Sequence, residues 1–204
     1  STISKWQVSV NYRYFKSFRH FRGKEEEEER VEQGTEVINH DNSVLLGLSY
    51  NFNSRWSASV VIPYLSIDRS SLYEHYGNKP NTNPRFHTQS SGVGDIRLNV
   101  YRSLLNHKRF QLIAGVGAKL PTGNFHDKDY FHKKDQEGND SLVYKVVDQS
   151  IQPGDGGFGF STELNLNYQF TRKFSVYGTA FYLFNPRNTN GVKRRDDLEL
   201  GIPN

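Results

Sequence analysis

Seven segments of the 204-residue chain alternate apolar and polar residues with a period of two. The first is the clearest, with Trp6, Val8, Val10, Tyr12 and Tyr14 on one side and Gln7, Ser9, Asn11 and Arg13 on the other. Successive residues of an extended chain point to opposite faces, so the pattern predicts a strand over residues 5–15 with one oily and one polar face. The same logic predicts strands over 43–52, 56–64, 93–103, 110–120, 158–170 and 174–184. In the sixth of these, Phe158, Phe160, Leu164, Leu166, Tyr168 and Phe170 interleave with Gly159, Ser161, Glu163, Asn165, Asn167 and Gln169. An eighth pattern begins at Leu198, Leu200 and Ile202 and then stops.

The gaps alternate as regularly as the residues. Short ones near 53–55, 104–109 and 171–173 are separated by long ones near 16–42, 66–92, 121–156 and 185–197. Strands of about ten residues, joined by short turns on one side and long loops on the other, are the signature of a transmembrane antiparallel up-and-down β-barrel. Its apolar face meets lipid and its polar face meets the lumen. On that reading the short turns and the N-terminus are periplasmic, and Trp6, Phe52, Trp56, Phe110, Phe170 and Phe174 form the inner aromatic girdle. Tyr14, Tyr64, Phe158, Tyr182 and Phe184 form the outer one, at headgroup level. A soluble sandwich or barrel with its apolar face inside shares the period of two. It has no need of aromatics at both ends of its strands, or of long loops on one edge only.

Composition changes the picture less than it first suggests. A hydrophobic fraction of 35% and a mean hydropathy of −0.74 suit a polar soluble protein, but a barrel escapes this test because only every second strand residue meets lipid. No run approaches the roughly 18 apolar residues of a membrane helix. The net charge of +4 comes from 26 basic and 22 acidic residues, most of them in the long gaps. No stripe of Lys and Arg interleaved with stacking aromatics appears, so nucleic acid is not an expected partner. Cys and Met are absent, Met even from position 1, which reads as a processed chain whose signal peptide has been removed. We expect one outer-membrane barrel domain over 1–204. Because the chain stops inside its eighth apolar pattern, we expect a barrel truncated at its C-terminus. Either about four further strands follow, making about twelve in all, or another chain closes the ring.

Candidate chemistry is sparse. Glu25 to Glu29 form an acidic run in the first long loop, the pattern of a solvated loop tip. His126, Asp127, Asp129 and His132 have metal-ligand chemistry but nothing in the sequence that makes them converge. His40-Asp41-Asn42-Ser43 sets a base, a carboxylate and a hydroxyl side by side, yet neighbours on an extended chain point apart, which is unlike a triad. The run Gly154-Asp155-Gly156-Gly157 lacks the following helix that a phosphate loop needs. Glycine weakens strands unless it permits a bulge or a close approach, so Gly115, Gly117, Gly157 and Gly159 make room inside the wall, for lumen or for an inserted loop. No catalytic residue, metal site or cofactor is assigned.

Several short stretches follow one another in a recognisable order: Tyr14-Phe15-Lys16-Ser17-Phe18-Arg19-His20, Ile62-Pro63-Tyr64, Ser91-Gly92-Val93-Gly94-Asp95-Ile96, Leu120-Pro121-Thr122-Gly123, Gln152-Pro153-Gly154-Asp155-Gly156-Gly157 and Asn185-Pro186-Arg187. Together they resemble the transporter-like outer-membrane barrels of the "meta-pathway of phenol degradation" family. The resemblance spans most of the chain and implies a barrel that takes up small organic molecules; it brings no catalytic residues. The functional expectation is therefore a bacterial outer-membrane channel or transporter for passive uptake of small, hydrophobic or aromatic compounds. Its lumen-lining residues are expected to include Arg13, Asp95, Arg97, Asn99, Lys119, Glu163 and Asn165, with the loop 121–156 folding in to narrow the passage. The alternative is a structural barrel whose long loops bind a partner protein or surface polymer. Outer-membrane lipid and a small solute are the other expected partners.

Overall fold

The structure, a computed structural model, describes residues 5–73 and 84–186. Its strands are β1 (Trp6–Ser17), β2 (Phe21–Arg22), β3 (Glu25–Glu26), β4 (Ile38–Asn51), β5 (Trp56–Ser71), β6 (Phe86–Val93), β7 (Arg97–His107), β8 (Phe110–Lys119), β9 (Lys128–Lys134), β10 (Asp140–Val146), β11 (Gly159–Gln169) and β12 (Ser175–Phe184). A helical turn, α1 (Glu29–Glu32), and a short 3-10 turn at Gln149–Ile151 complete the elements. The chain is all-β. Its main sheet is an antiparallel up-and-down meander in the order β1-β4-β5-β7-β8-β11-β12, curled into a half-barrel. The described residues do not close the ring, and the eighth pattern at 198–202 lies outside them.

The register fixes the two faces. One row of paired residues crosses all seven strands as Val8, Leu48, Val60, Leu98, Ala118, Phe160 and Phe184, and every member is apolar. One residue over on the first six strands, Gln7, Ser49, Ser59, Asn99, Gly117 and Ser161 form a row of small and polar groups, which ends on Leu183 of β12. A one-residue slip would exchange these rows, so the alternation itself holds the register. The apolar face stands uncovered: Val8 is 69% exposed and Val116 63%. Aromatics gather at both ends of this face. Trp6, Tyr50 and Phe52 pack at centroid distances of 4.6 and 5.2 Å at the short-turn end, and Phe158 meets Phe160 at 5.0 Å at the other.

The strand boundaries depart from the alternation in instructive ways. β4 starts at Ile38 and β5 runs to Ser71, well beyond Tyr64. Past this level the outward positions His40, Asn42, Ser66 and Asp68 are polar, so the oily face ends and the period of two vanishes while the ladder continues. The predicted strand over 93–103 is broken. β5 pairs with β6 along its upper half and with β7 along its lower half. Between Tyr64↔Val93 and Val61↔Arg97 the β6–β7 side carries one residue more, a bulge at Gly94-Asp95-Ile96. Strand β7 also runs on to His107, leaving only Lys108 and Arg109 as the turn.

Candidate functional site

The bulge is where the third long loop meets the wall. Thr122 Oγ1 accepts a hydrogen bond from Ile96 N and donates one to Gly94 O, both at 2.9 Å. Asp95 accepts from two loop amides, Gly123 N at 3.0 Å on Oδ1 and Asp155 N at 3.2 Å on Oδ2. Between them sits Lys119, the last residue of β8, whose side chain is only 5% exposed. Its ammonium donates to the Asp155 carboxylate and lies 3.7 Å from Asp95 Oδ2. Asp155 in turn accepts from Gly157 N at 2.8 Å. One buried cation between two carboxylates, each also taking backbone N–H groups, satisfies the condition under which a buried ion pair is tolerated.

Glycines let the backbones touch. A Cβ on Gly123 would meet Gly154 Cα at 2.7 Å, and one on Gly94 would meet Pro153 O at 2.8 Å and Leu65 Cδ1 at 2.7 Å. Gly156 needs its left-handed φ of +68° and lies under the Phe125 ring. Because backbone atoms cannot move aside as a side-chain tip can, Gly123→Ala should overpack this contact at a cost of about 1–3 kcal/mol. The expected result is faster protease cleavage within 124–150, with the strand signal in circular dichroism retained. Unchanged protection would mean that the loop is not seated through this contact.

Beyond this knot of hydrogen bonds and charges at Asp95, Lys119, Thr122 and Asp155, the loop turns onto the polar face. Ile151, fully buried, packs with Val147 against Ile67 of β5, with Phe131 beside them. Arg69 binds Asp148 at 3.3 Å and Ser150 Oγ at 3.2 Å. Burial works against the charge of Asp148, but the N–H and hydroxyl of Ser150, with Arg69 beyond them, hold its carboxyl below the usual aspartate range. The rest of the loop rises as the β9–β10 hairpin, fastened to β6 by Ser90 Oγ donating to Asp127 and Gln89 N donating to Asp129, each at 2.7 Å. Phe86 and His132 stack at 3.7 Å. A cavity of about 600 Å³ lies between this hairpin, the first loop and the wall, with Arg69, Tyr73, Phe86, His132 and Lys145 among its lining.

The remaining wall residues form a polar ladder below the knot. Tyr101 donates to Glu163 at 3.1 Å across the intervening Gly115, and Asn165 Nδ2 donates to the same carboxylate at 2.6 Å. Asn165 Oδ1 accepts from Thr179 Oγ1 at 2.7 Å. Asn99 contacts Ser59 at 3.5 Å and Ser161 at 3.4 Å, the second across Gly117. Contacts that skip a strand mark the inside of a curl, where side chains converge.

Asp95 and Lys119 thus come together, and so do Glu163 and Asn165, while Asn99 stands in its own hydrogen-bonded row. Arg97 is exposed beside the knot, and Arg13, far across the sheet, lies 5.2 Å from the Phe15 ring centroid. Thr122, Asp155 and Tyr101 belong to these clusters although sequence reasoning names none of them as site residues. The signals were present: Thr122 and Asp155 stand in the quoted glycine-containing stretches, and Tyr101 is an aromatic on a polar face.

The chain matches no protein-family model and no curated protein.

The other sequence candidates resolve into structural contacts. His132 binds Asp140 at 2.9 Å, Asp127 and Asp129 hold β6, and among the described residues no three metal-ligating side chains converge. His40 and Ser43 point to opposite faces, and His40 Nδ1 meets Tyr14 OH at 2.7 Å. The acidic run is not a bare loop tip. Glu26 binds Arg19, and Glu27 binds both Arg30 and Arg22, so three arginines from the surrounding loop fold it into the β2–β3–α1 cap.

Proposed function

We propose that this chain forms the wall of a bacterial outer-membrane β-barrel through which small, hydrophobic or aromatic compounds pass passively, in a lumen narrowed by the loop 120–158. The observation that carries the reading is the division of labour between the two faces. A continuous apolar row crosses every strand of the meander and stays uncovered, while the longest connection among the described residues is laid on the polar side and locked there by Lys119, Asp95 and Asp155. An apolar surface this broad exceeds what a soluble monomer exposes, and lipid is the solvent that suits it. A loop folded onto the polar face is placed to constrict a passage rather than to cover the wall. The sequence resemblance to transporter-like barrels points the same way.

Solute flux into liposomes holding the complete protein tests this. The intact protein should admit small solutes, and deletion of residues 124–150 should raise both the rate and the size limit. Unchanged flux after the deletion would remove the constricting role. No flux of any small solute through the intact protein would favour a second reading, a scaffolding barrel. The β9–β10 hairpin supports that alternative: Tyr130, Leu142 and Tyr144 are exposed together on one of its faces, a surface suited to a partner protein or to stacking on a sugar polymer.

A further inference from the structure

Among the charged groups on the polar face, Glu163 stands apart by the company it keeps. It sits in the middle of β11, on the row Tyr101–Gly115–Glu163. Its two hydrogen-bond donors, the Tyr101 hydroxyl and the Asn165 amide, are neutral, and among the described residues no Lys, Arg or His pairs with it. The cations of the same face stand elsewhere: Arg55, in the turn before β5, is three strands across the sheet and two positions off the row of Glu163. Lys119 is held between two aspartates. Arg97 is level with Gly159 through the paired rows, four positions along β11 from Glu163, or roughly 13 Å at about 3.3 Å per residue. That exceeds the Debye length of about 8 Å at physiological ionic strength, so Arg97 is largely screened from Glu163 by any electrolyte between them.

Gly115 is what opens this place. A Cβ there would meet the Tyr101 ring at 2.6 Å, so the glycine lets the ring lie across β8 to reach the carboxylate. Thr179 orients Asn165 from the other side. The carboxylate is therefore positioned by neutral donors that leave its charge uncompensated, within a wall of low dielectric that focuses the field into the space it faces.

We infer that Glu163 is a specificity-determining residue of the passage: it favours cationic and neutral solutes over anionic ones at mid-wall. This rests on the channel reading above. The test is the reversal potential of the complete protein in a planar bilayer between unequal KCl solutions. The wild type should show a cation-over-anion permeability ratio above one. Glu163→Gln, which keeps the shape and both neighbours, should conduct with the ratio moved towards one, and Glu163→Lys should take it below one. Tyr101→Phe, which keeps the charge, should leave the sign of the preference intact. Conduction by Glu163→Gln with the wild-type reversal potential would overturn the role of Glu163 and leave the channel standing. A wild type that never conducts would overturn the channel reading and this inference with it.

Discussion

Lys119→Met should be the most damaging single substitution on the polar face, because it leaves two carboxylates facing each other with no cation between them. Removing one partner of a buried ion pair costs about 3–5 kcal/mol, and Asp95 is enclosed as well, its side chain 10% exposed. Asp155 is 55% exposed, so Asp155→Asn should cost about 1 kcal/mol or less, as surface pairs do. The two variants should differ in kind as well as in size. Without Lys119 the loop comes away from the bulge at Gly94–Ile96, which protease cleavage within 124–150 reports. Urea unfolding in vesicles reports the loss of stability. Equal effects from the two variants would mean that the cluster is a surface pair and not the pin of the loop.

Arginine at Leu166 should cost about 2–4 kcal/mol if that position faces the middle of a bilayer, whereas arginine at the adjacent Asn165 should cost far less. The structure sharpens the second half of this contrast. Leu166 continues an apolar row with Leu112, while Asn165 lies beside the Glu163 carboxylate, so an arginine there gains an opposite charge. Folding free energies of both variants into lipid vesicles provide the measurement. Equal losses would contradict the assignment of the apolar face to lipid.

How far the sequence reveals this molecule depends on where the two faces differ. Between its two aromatic ends the sheet is oily on one face and polar on the other, so the parity of Val8, Leu48, Val60, Leu98 and Phe160 reads directly from the chain. Beyond Tyr64 the contrast ends. His40, Asp68 and His87 on the outward side look like loop residues, and the outer halves of β4, β5 and β6 have no periodic signal to announce them. The β9–β10 hairpin is hidden for the same reason, since Lys128, Asp129, Lys133 and Lys134 mix charge into both of its faces. The knot was visible in part. Its pieces, Gly94-Asp95-Ile96, Leu120-Pro121-Thr122-Gly123 and Gly154-Asp155, stand out as sequence, but period two assigns Asp95 to a continuous strand and treats it as a separate wall charge from Lys119. Their union depends on a one-residue bulge, and a bulge changes the pairing without leaving a mark in hydrophobicity.

The meander has one arithmetical consequence. Six antiparallel pairings join its seven strands, so β1 and β12, which within this sheet each pair on one side only, run in the same direction. They cannot meet each other as antiparallel neighbours. Whatever spans the gap between them must contribute an odd number of strands if every seam is to stay antiparallel, and two copies joined head to tail, β12 of each to β1 of the other, would have parallel seams at both junctions. Direction alone thus separates closure by an odd set of further strands, which keeps β1 and β12 of one chain apart, from head-to-tail self-association, which sets β12 of one copy beside β1 of the next; only the second allows a disulfide between engineered cysteines on β1 and β12, and it forms between chains.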